Sequence, residues 1–172
     1  MKNTYLEEFR RRQLRKCQLK QLAILEVIDG ICRKHGIDYW LDGGSLLGAV
    51  RHGGFIPWDD DIDIAMRRDD LERFCAVAPA ELDSGLMLQT PETEPDSKEP
   101  IVKVRDLNSF FVEGGDNFAA EYQKGLYVDI FPFISYPSLP RKTVKFLTRG
   151  ISRSRAILVK PHRYSVRAVA EF

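Results

Sequence analysis

No run in this 172-residue chain approaches the ~18–20 apolar residues that a membrane span requires. The N-terminal stretch MKNTYLEEFRRRQLRK lacks the apolar centre of a secretory signal. Cysteine is scarce: Cys17, Cys32 and Cys75 are odd in number and show no Cys-x-x-Cys spacing. That pattern argues against both a disulfide framework and a zinc knuckle. Each cysteine falls where a helix would bury it, so the three read as reduced core thiols of a cytoplasmic protein. Internal repeats and low-complexity segments are absent as well, which leaves one ordinary globular core to explain.

The remaining composition suits that core, with 44% hydrophobic and 30% charged residues. A net charge of +1 hides a strong asymmetry. Residues 1–36 carry nine Lys/Arg against four Asp/Glu, residues 37–140 eight against twenty, and residues 141–172 nine against one. An acidic centre suits a site loaded with cations. Basic flanks suit a phosphate-bearing partner or peripheral contact with an anionic inner-membrane surface. Nucleic acid is not expected as a partner, because the basic ends lack interleaved aromatics and the acidic middle would repel a phosphate backbone.

Periodicity predicts an amphipathic helix over residues 6–34, with Leu14, Cys17, Ile24, Ile28 and Ile31 on one stripe and Leu22, Leu25 and Cys32 widening it. Gly36 supplies its left-handed stop. A short strand over residues 37–41 follows. Asp69 and Glu72 suggest a capping box opening a helix with Leu71, Phe74, Cys75 and Ala78, and Pro79 stands near its end. Strands are expected at 86–89, 101–107 (continued or paired by 110–112) and 126–133, with a polar loop over 90–100. In IVKVRDL, Val102 and Val104 face the core while Lys103 and Arg105 share the other face; Arg105 either offsets charge on a departing phosphate group, as Arg51 or Lys103 could, or pairs with Asp106 as an exposed strand-edge ion pair. From Ser135 the chain becomes basic, and Val144, Leu147 and Ile151 suggest an amphipathic helix. Two readings stand for it: attachment to a membrane surface, or packing on something later in the chain.

The most informative stretch is GGSLLGAVRHGGFIPWDDDIDIAM, residues 43–66. Asp59, Asp60, Asp61 and Asp63 crowd five positions, and Asp-Ile-Asp-Ile alternates as a strand does. Asp61 and Asp63 therefore share one face, with Ile62, Ile64 and Met66 on the other. Adjacent carboxylates repel, and a divalent cation, Mg²⁺ or Mn²⁺, offsets that repulsion through hard oxygen ligands. Asp129, alone in the apolar run LYVDIFPF, needs a partner, which is either the same metal or a neighbouring backbone amide. Gly43 and Gly44 allow close approach of a phosphate at a helix start, with Ser45 adding a hydroxyl, or else form a tight turn. His52 orders the Gly53–Gly54 turn or joins the site. Phe55 and Trp58 are expected to wedge the loop against the core, ahead of stacking on a base, and Asp59 and Asp60 to be solvated or to orient the ligands from outside. A calcium-sensor loop is excluded, since its sixth position would be Ile64 and its twelfth Asp70.

The run YWLDGGSLLGAVRHGGFIPWDDDIDIAM, together with IVKVRDL and VDIFPF, resembles the LicD family, which includes the fukutin-related proteins. The likeness spans residues 14–133. It implies an α+β fold, with a nucleotidyltransferase-like mixed β-sheet flanked by helices behind a long N-terminal helix. Together with the periodicity and charge pattern, the expected organisation is a packing helix (1–36), a nucleotidyltransferase-like catalytic core (37–134) and a basic, helical C-terminal segment (135–172). The implied activity is metal-dependent transfer of phosphocholine, or a similar phospho-alcohol, from CDP-choline or a related CDP-alcohol to a hydroxyl of a cell-surface glycan. By position, the metal-binding and catalytic carboxylates fall on Asp61, Asp63 and Asp129, with Mg²⁺ or Mn²⁺ as cofactor. Gly43, Gly44 and Ser45 fall on the element holding donor phosphates, and Arg51, His52 and Lys103 on further donor-binding positions. Members of the family usually continue into aromatic- and Gly-rich motifs that this sequence does not contain, so a C-terminally shortened chain is expected. The competing readings are a nucleotide-sugar glycosyltransferase using Asp61 and Asp63 as Asp-x-Asp, and a non-catalytic fragment that binds nucleotide or metal.

Overall fold

The computed structural model describes residues 4–97, 101–112, 116, 118–135 and 138–159. The chain divides into two compact units, Met1–Ile134 and Ser135–Phe172. In the first, helix α1 (Thr4–His35) leads to strand β1 (Tyr39–Leu41), helix α2 (Gly43–His52), strand β2 (Asp63–Arg67) and helix α3 (Arg68–Glu81). Strands β3 (Leu86–Gln89), β4 (Val102–Asp106) and β5 (Tyr127–Phe133) complete it. The second unit contains helix α4 (Arg141–Val159), and residues 160–172 of the expected basic segment lie outside the described residues.

The five strands form one mixed sheet in the order β1-β2-β5-β4-β3. Only the β2–β5 pair is parallel; the other three pairs are antiparallel. This is an α+β fold with helices flanking a mixed sheet. Parallel neighbours need a long crossover, and here it is the whole stretch through α3, β3 and β4. The crossover brings β5 beside β2 with Asp129 opposite Asp63.

One face of the sheet makes the core. Ile24, Ile28, Ile31 and Cys32 of α1 and Leu71, Phe74 and Ala78 of α3 pack with Ile64, Met66, Val104, Val128 and Ile130. Burial of each large apolar side chain contributes about 1.5–3 kcal/mol. Leu22 departs from the expected stripe and is exposed. Instead, Gln18 and Gln21 are buried on the same side of α1. The helix stops at Gly36, whose φ of 61° is the expected left-handed turn. Glu81 then clamps α3 to α1, accepting from Lys34 Nζ at 2.7 Å and lying 2.7 Å from His35 Nε2. Arg73 adds a bond to the His35 carbonyl at 2.6 Å.

Three local expectations need correcting. The capping box does not form: α3 starts at Arg68 with Arg67 in the cap position and no side-chain cap bond. Asp69 and Asp70 lie in the first turn, where they complement the positive end of the helix dipole. Residues 110–112 extend no strand, although the Phe111 amide bonds the Lys124 carbonyl at 2.6 Å. Finally, β4 is buried along its whole length. Arg105 is inside, bonded to Gln89 and to the Gly125 carbonyl and stacked on Tyr127. Asp106 turns instead to Lys20 of α1, 2.8 Å away. The exposed Arg105–Asp106 pair does not exist because β4 is an interior strand between β5 and β3, with the Gly125 loop and α1 lying against it.

Gly125 shows how close that covering is, since a Cβ built there would stand 1.8 Å from the Asp106 carbonyl oxygen. Gly125→Ala is therefore expected to destabilise the fold by about 2 kcal/mol or more, because backbone must move to admit a methyl group. Urea denaturation measures this, and an unchanged midpoint would contradict the close approach.

Candidate metal and nucleotide site

The site is assembled where β1, α2, β2 and β5 meet. β1 pairs with β2 up to Leu41–Ile64, and the Asp42 amide adds one more bond, 3.0 Å to the Asp63 carbonyl. The chain then turns sharply into α2 through Gly43, at φ 50°. Glycine is needed here twice over: for the positive φ, and because a Cβ would sit 3.3 Å from Asp63 Oδ2. A Cβ on Gly44 would lie only 2.8 Å from Asp59 Oδ2. The glycine pair thus lets two carboxylates close against the first turn of a helix. Anions are stabilised there by unpaired amides and the helix dipole. Ser45 Oγ accepts from the Asp63 amide at 2.9 Å, which fixes the start of β2 against α2.

The aspartate run is held from the other side by α1. Gln18 Nε2 donates to the Asp59 carbonyl at 2.8 Å and Gln21 Nε2 to the Asp60 carbonyl at 2.8 Å. With their backbone fixed, Asp59, Asp60 and Asp61 place carboxylate oxygens within 4.8 Å of one another. Asp63 and Asp129 are register partners on adjacent parallel strands, so their side chains share a face.

The electrostatic consequence is direct. Burial, followed by Asp59, Asp60 and Asp129, pushes the Asp61 carboxyl up to about 6. Burial, followed by Asp61, Asp129, Asp42 and Asp59, pushes Asp63 up to about 6 as well. The expected trio of Asp61, Asp63 and Asp129 is therefore brought within mutual electrostatic reach, and Asp42 and Asp59 join it. The tightest oxygen cluster among the described residues is nevertheless Asp59–Asp61, to which Asp63 and Asp129 are neighbours. A dense set of hard carboxylate oxygens carrying uncompensated repulsion fits a divalent cation of the Mg²⁺ or Mn²⁺ kind.

The cations distribute unevenly. Lys103, 3% exposed, pairs with Asp129 at 2.7 Å and lies 3.8 Å from the centre of the Tyr127 ring. Asp63, Asp129 and Lys103 form a row across β2, β5 and β4. Arg51 and His52 lie in the last turn of α2, roughly 12–13 Å along the axis from its glycine-led start. They are not gathered with Gly43, Gly44 and Ser45. His52 meets Trp58 edge to face, ring centres 6.4 Å apart. Trp58 itself is 76% exposed and does not wedge the loop, whereas Phe55 does pack against the core. A small apolar cavity beneath α2, about 100 Å³, is walled by Leu22, Leu25, Leu41, Ala49, Phe55 and Ile62, among others, and is unsuited to a nucleotide.

A family model described as LicD/FKTN/FKRP, nucleotidyltransferase domain, matches residues 36–164. The chain belongs to this family. Lipopolysaccharide cholinephosphotransferase LicD of Haemophilus influenzae is 35% identical over 129 residues, covering 74% of this chain and 47% of that protein. Human ribitol 5-phosphate transferase FKRP is 34% identical over 110 residues, covering 63% of this chain and 19% of that protein. The chain therefore spans about half the length of the first relative and a fifth of the second. The family match takes in the glycine pair, the aspartate run and Asp129.

Two outcomes follow from these electrostatics. A carboxyl raised from 3.8 to about 6 costs stability that is absent below about pH 4 and complete above about pH 6. In metal-free protein, Asp63→Asn should raise stability by about 1 kcal/mol at neutral pH, after allowing for solvent screening, and not at pH 4. Thermal melts at the two pH values measure the difference; equal gains at both would contradict it. Lys103→Met should cost about 3 kcal/mol by stranding the Asp129 carboxylate, and adding Asp129→Asn should restore much of the loss. Simple additivity in a double-mutant cycle would count against the pair.

Proposed function

We propose that this chain transfers a phospho-alcohol, phosphocholine in the first instance, from a CDP-activated donor to a hydroxyl of a cell-surface glycan. The carrying observation is the approach of the Asp59 and Asp63 carboxylates to a glycine-led helix start, with Asp60 and Asp61 in the same run and Asp129 of β5 in register beside Asp63. The activities named for the LicD and FKRP relatives support the class of reaction, choline and ribitol being the alternatives between them.

In this reading Asp61 and Asp63, with Asp129 as the third, would hold Mg²⁺ or Mn²⁺. The cation would neutralise phosphate charge and polarise the reacting phosphoryl group. Gly43 and Gly44 admit the donor phosphates to the amides at the start of α2. The acceptor oxygen forms a bond to the choline-bearing phosphorus, the bond from that phosphorus to CMP breaks, and the hydroxyl proton passes to a carboxylate. Asp129 would either complete the metal cage or take that proton, and the Lys103 ammonium 2.7 Å away fixes its direction. The same ion pair assigns Lys103 to orienting Asp129 ahead of gripping a phosphate. Arg105, committed to Gln89 and Gly125, is not assigned a part in nucleotide departure.

Calorimetric titration of CDP-choline with Mg²⁺ tests the proposal, on this chain and on Asp61→Ala. Metal-dependent binding weakened at least about 100-fold in the variant is expected, since even groups behind a metal ligand are worth 10–100-fold. CDP-ribitol and UDP-sugars form the comparison arms. Preference for a UDP-sugar would point to glycosyl transfer, and no nucleotide binding by the folded chain would favour a non-catalytic fragment.

A further inference from the structure

Helix α4 carries six Lys/Arg and no Asp or Glu over residues 141–159. At 3.6 residues per turn its charges gather in one half of the helix and most of its apolar groups in the other. Arg141, Lys142, Lys145, Arg149, Arg153 and Arg155 fall in one half of the helical wheel. The other half contains Val144, Phe146, Leu147 and Ile151 with small residues between them, and no charge. Three of these apolar side chains are open: Phe146 is 77% exposed, Leu147 49% and Ile151 69%. No helix among the described residues is long and apolar enough to cross a membrane. α4 thus has the composition of a helix that lies along an interface, largely apolar on one side and with all its charge, every one positive, on the other.

We propose that α4 docks on an anionic lipid surface, with the Leu147–Ile151 side sunk among the headgroups and the basic half drawn by lipid charge. Charge decides between the occupants. A second copy of the helix would cover the apolar side but leave the basic half unanswered. Anionic headgroups complement them, each Lys or Arg near such a surface adding attraction that salt weakens. The inference is independent of the proposed transfer reaction, because it uses no residue of the aspartate site.

Co-sedimentation of the whole chain with phosphatidylcholine vesicles, with and without phosphatidylglycerol, tests it. Binding to the anionic vesicles at least about tenfold stronger than to the neutral ones is expected, and it should fall as salt is raised. Leu147→Asp with Ile151→Asp should remove binding by loss of apolar insertion, and Arg149→Gln with Arg153→Gln should weaken it several-fold. Unchanged circular dichroism and urea midpoints would show that the fold survives both changes. Equal binding to neutral vesicles, no binding, or binding indifferent to both double variants would overturn the proposal. So would self-association that the Leu147 and Ile151 changes abolish while vesicles are ignored.

Discussion

Mutual repulsion among the aspartates of one small region is the constraint around which the first unit is built. Left to themselves, these carboxylates would splay into water, and most of the local architecture prevents it. Two glutamines hold the run by its carbonyl oxygens, a serine fixes the start of β2, and two missing Cβ atoms make room for the oxygens. Among the described residues, the full opposing charge in this region goes to Asp129, from Lys103. A fold optimised for stability alone would have exchanged these groups for neutral ones. Retaining such groups against that gradient is what proteins do where function outweighs stability.

Much of this was legible in the sequence, for identifiable reasons. The alternation of Asp61, Ile62, Asp63 and Ile64 shows which side faces the core, and Ile62 and Ile64 are buried as that pattern requires. Gly36 and Gly43 both take the left-handed conformation that other residues avoid. What failed was everything that depends on tertiary cover. β4 reads as half-exposed from its lysine and arginine, yet both are buried because ion pairing and aromatic stacking satisfy them. Asp69 matches a cap pattern, but α3 begins one residue earlier, directly from β2.

Other parts were visible only as anomalies. Gln18 and Gln21 interrupt an apolar helical stripe one turn apart, an unexplained pattern until their amides are seen to meet a loop some forty residues ahead. Asp42 sits outside the aspartate run and gives no signal by spacing. It reaches the site only because β1 pairs with β2. Trp58 reads as a core aromatic on composition, and only the path of its loop turns it outward.

The parallel pairing of β2 with β5 has a kinetic consequence. Its strands are separated in sequence by α3, β3 and β4, so the pair closes only after that intervening chain has collapsed. Closing long loops delays folding, and here the final closure also brings Asp129 beside Asp63. The growing chain can therefore form its first two helices and the β1–β2 pair with the aspartate run still open to water. The cost of crowding falls on the last step, when the central strand enters. A divalent cation present at that moment would act as a folding partner, speeding closure or slowing its reversal, before any substrate is met.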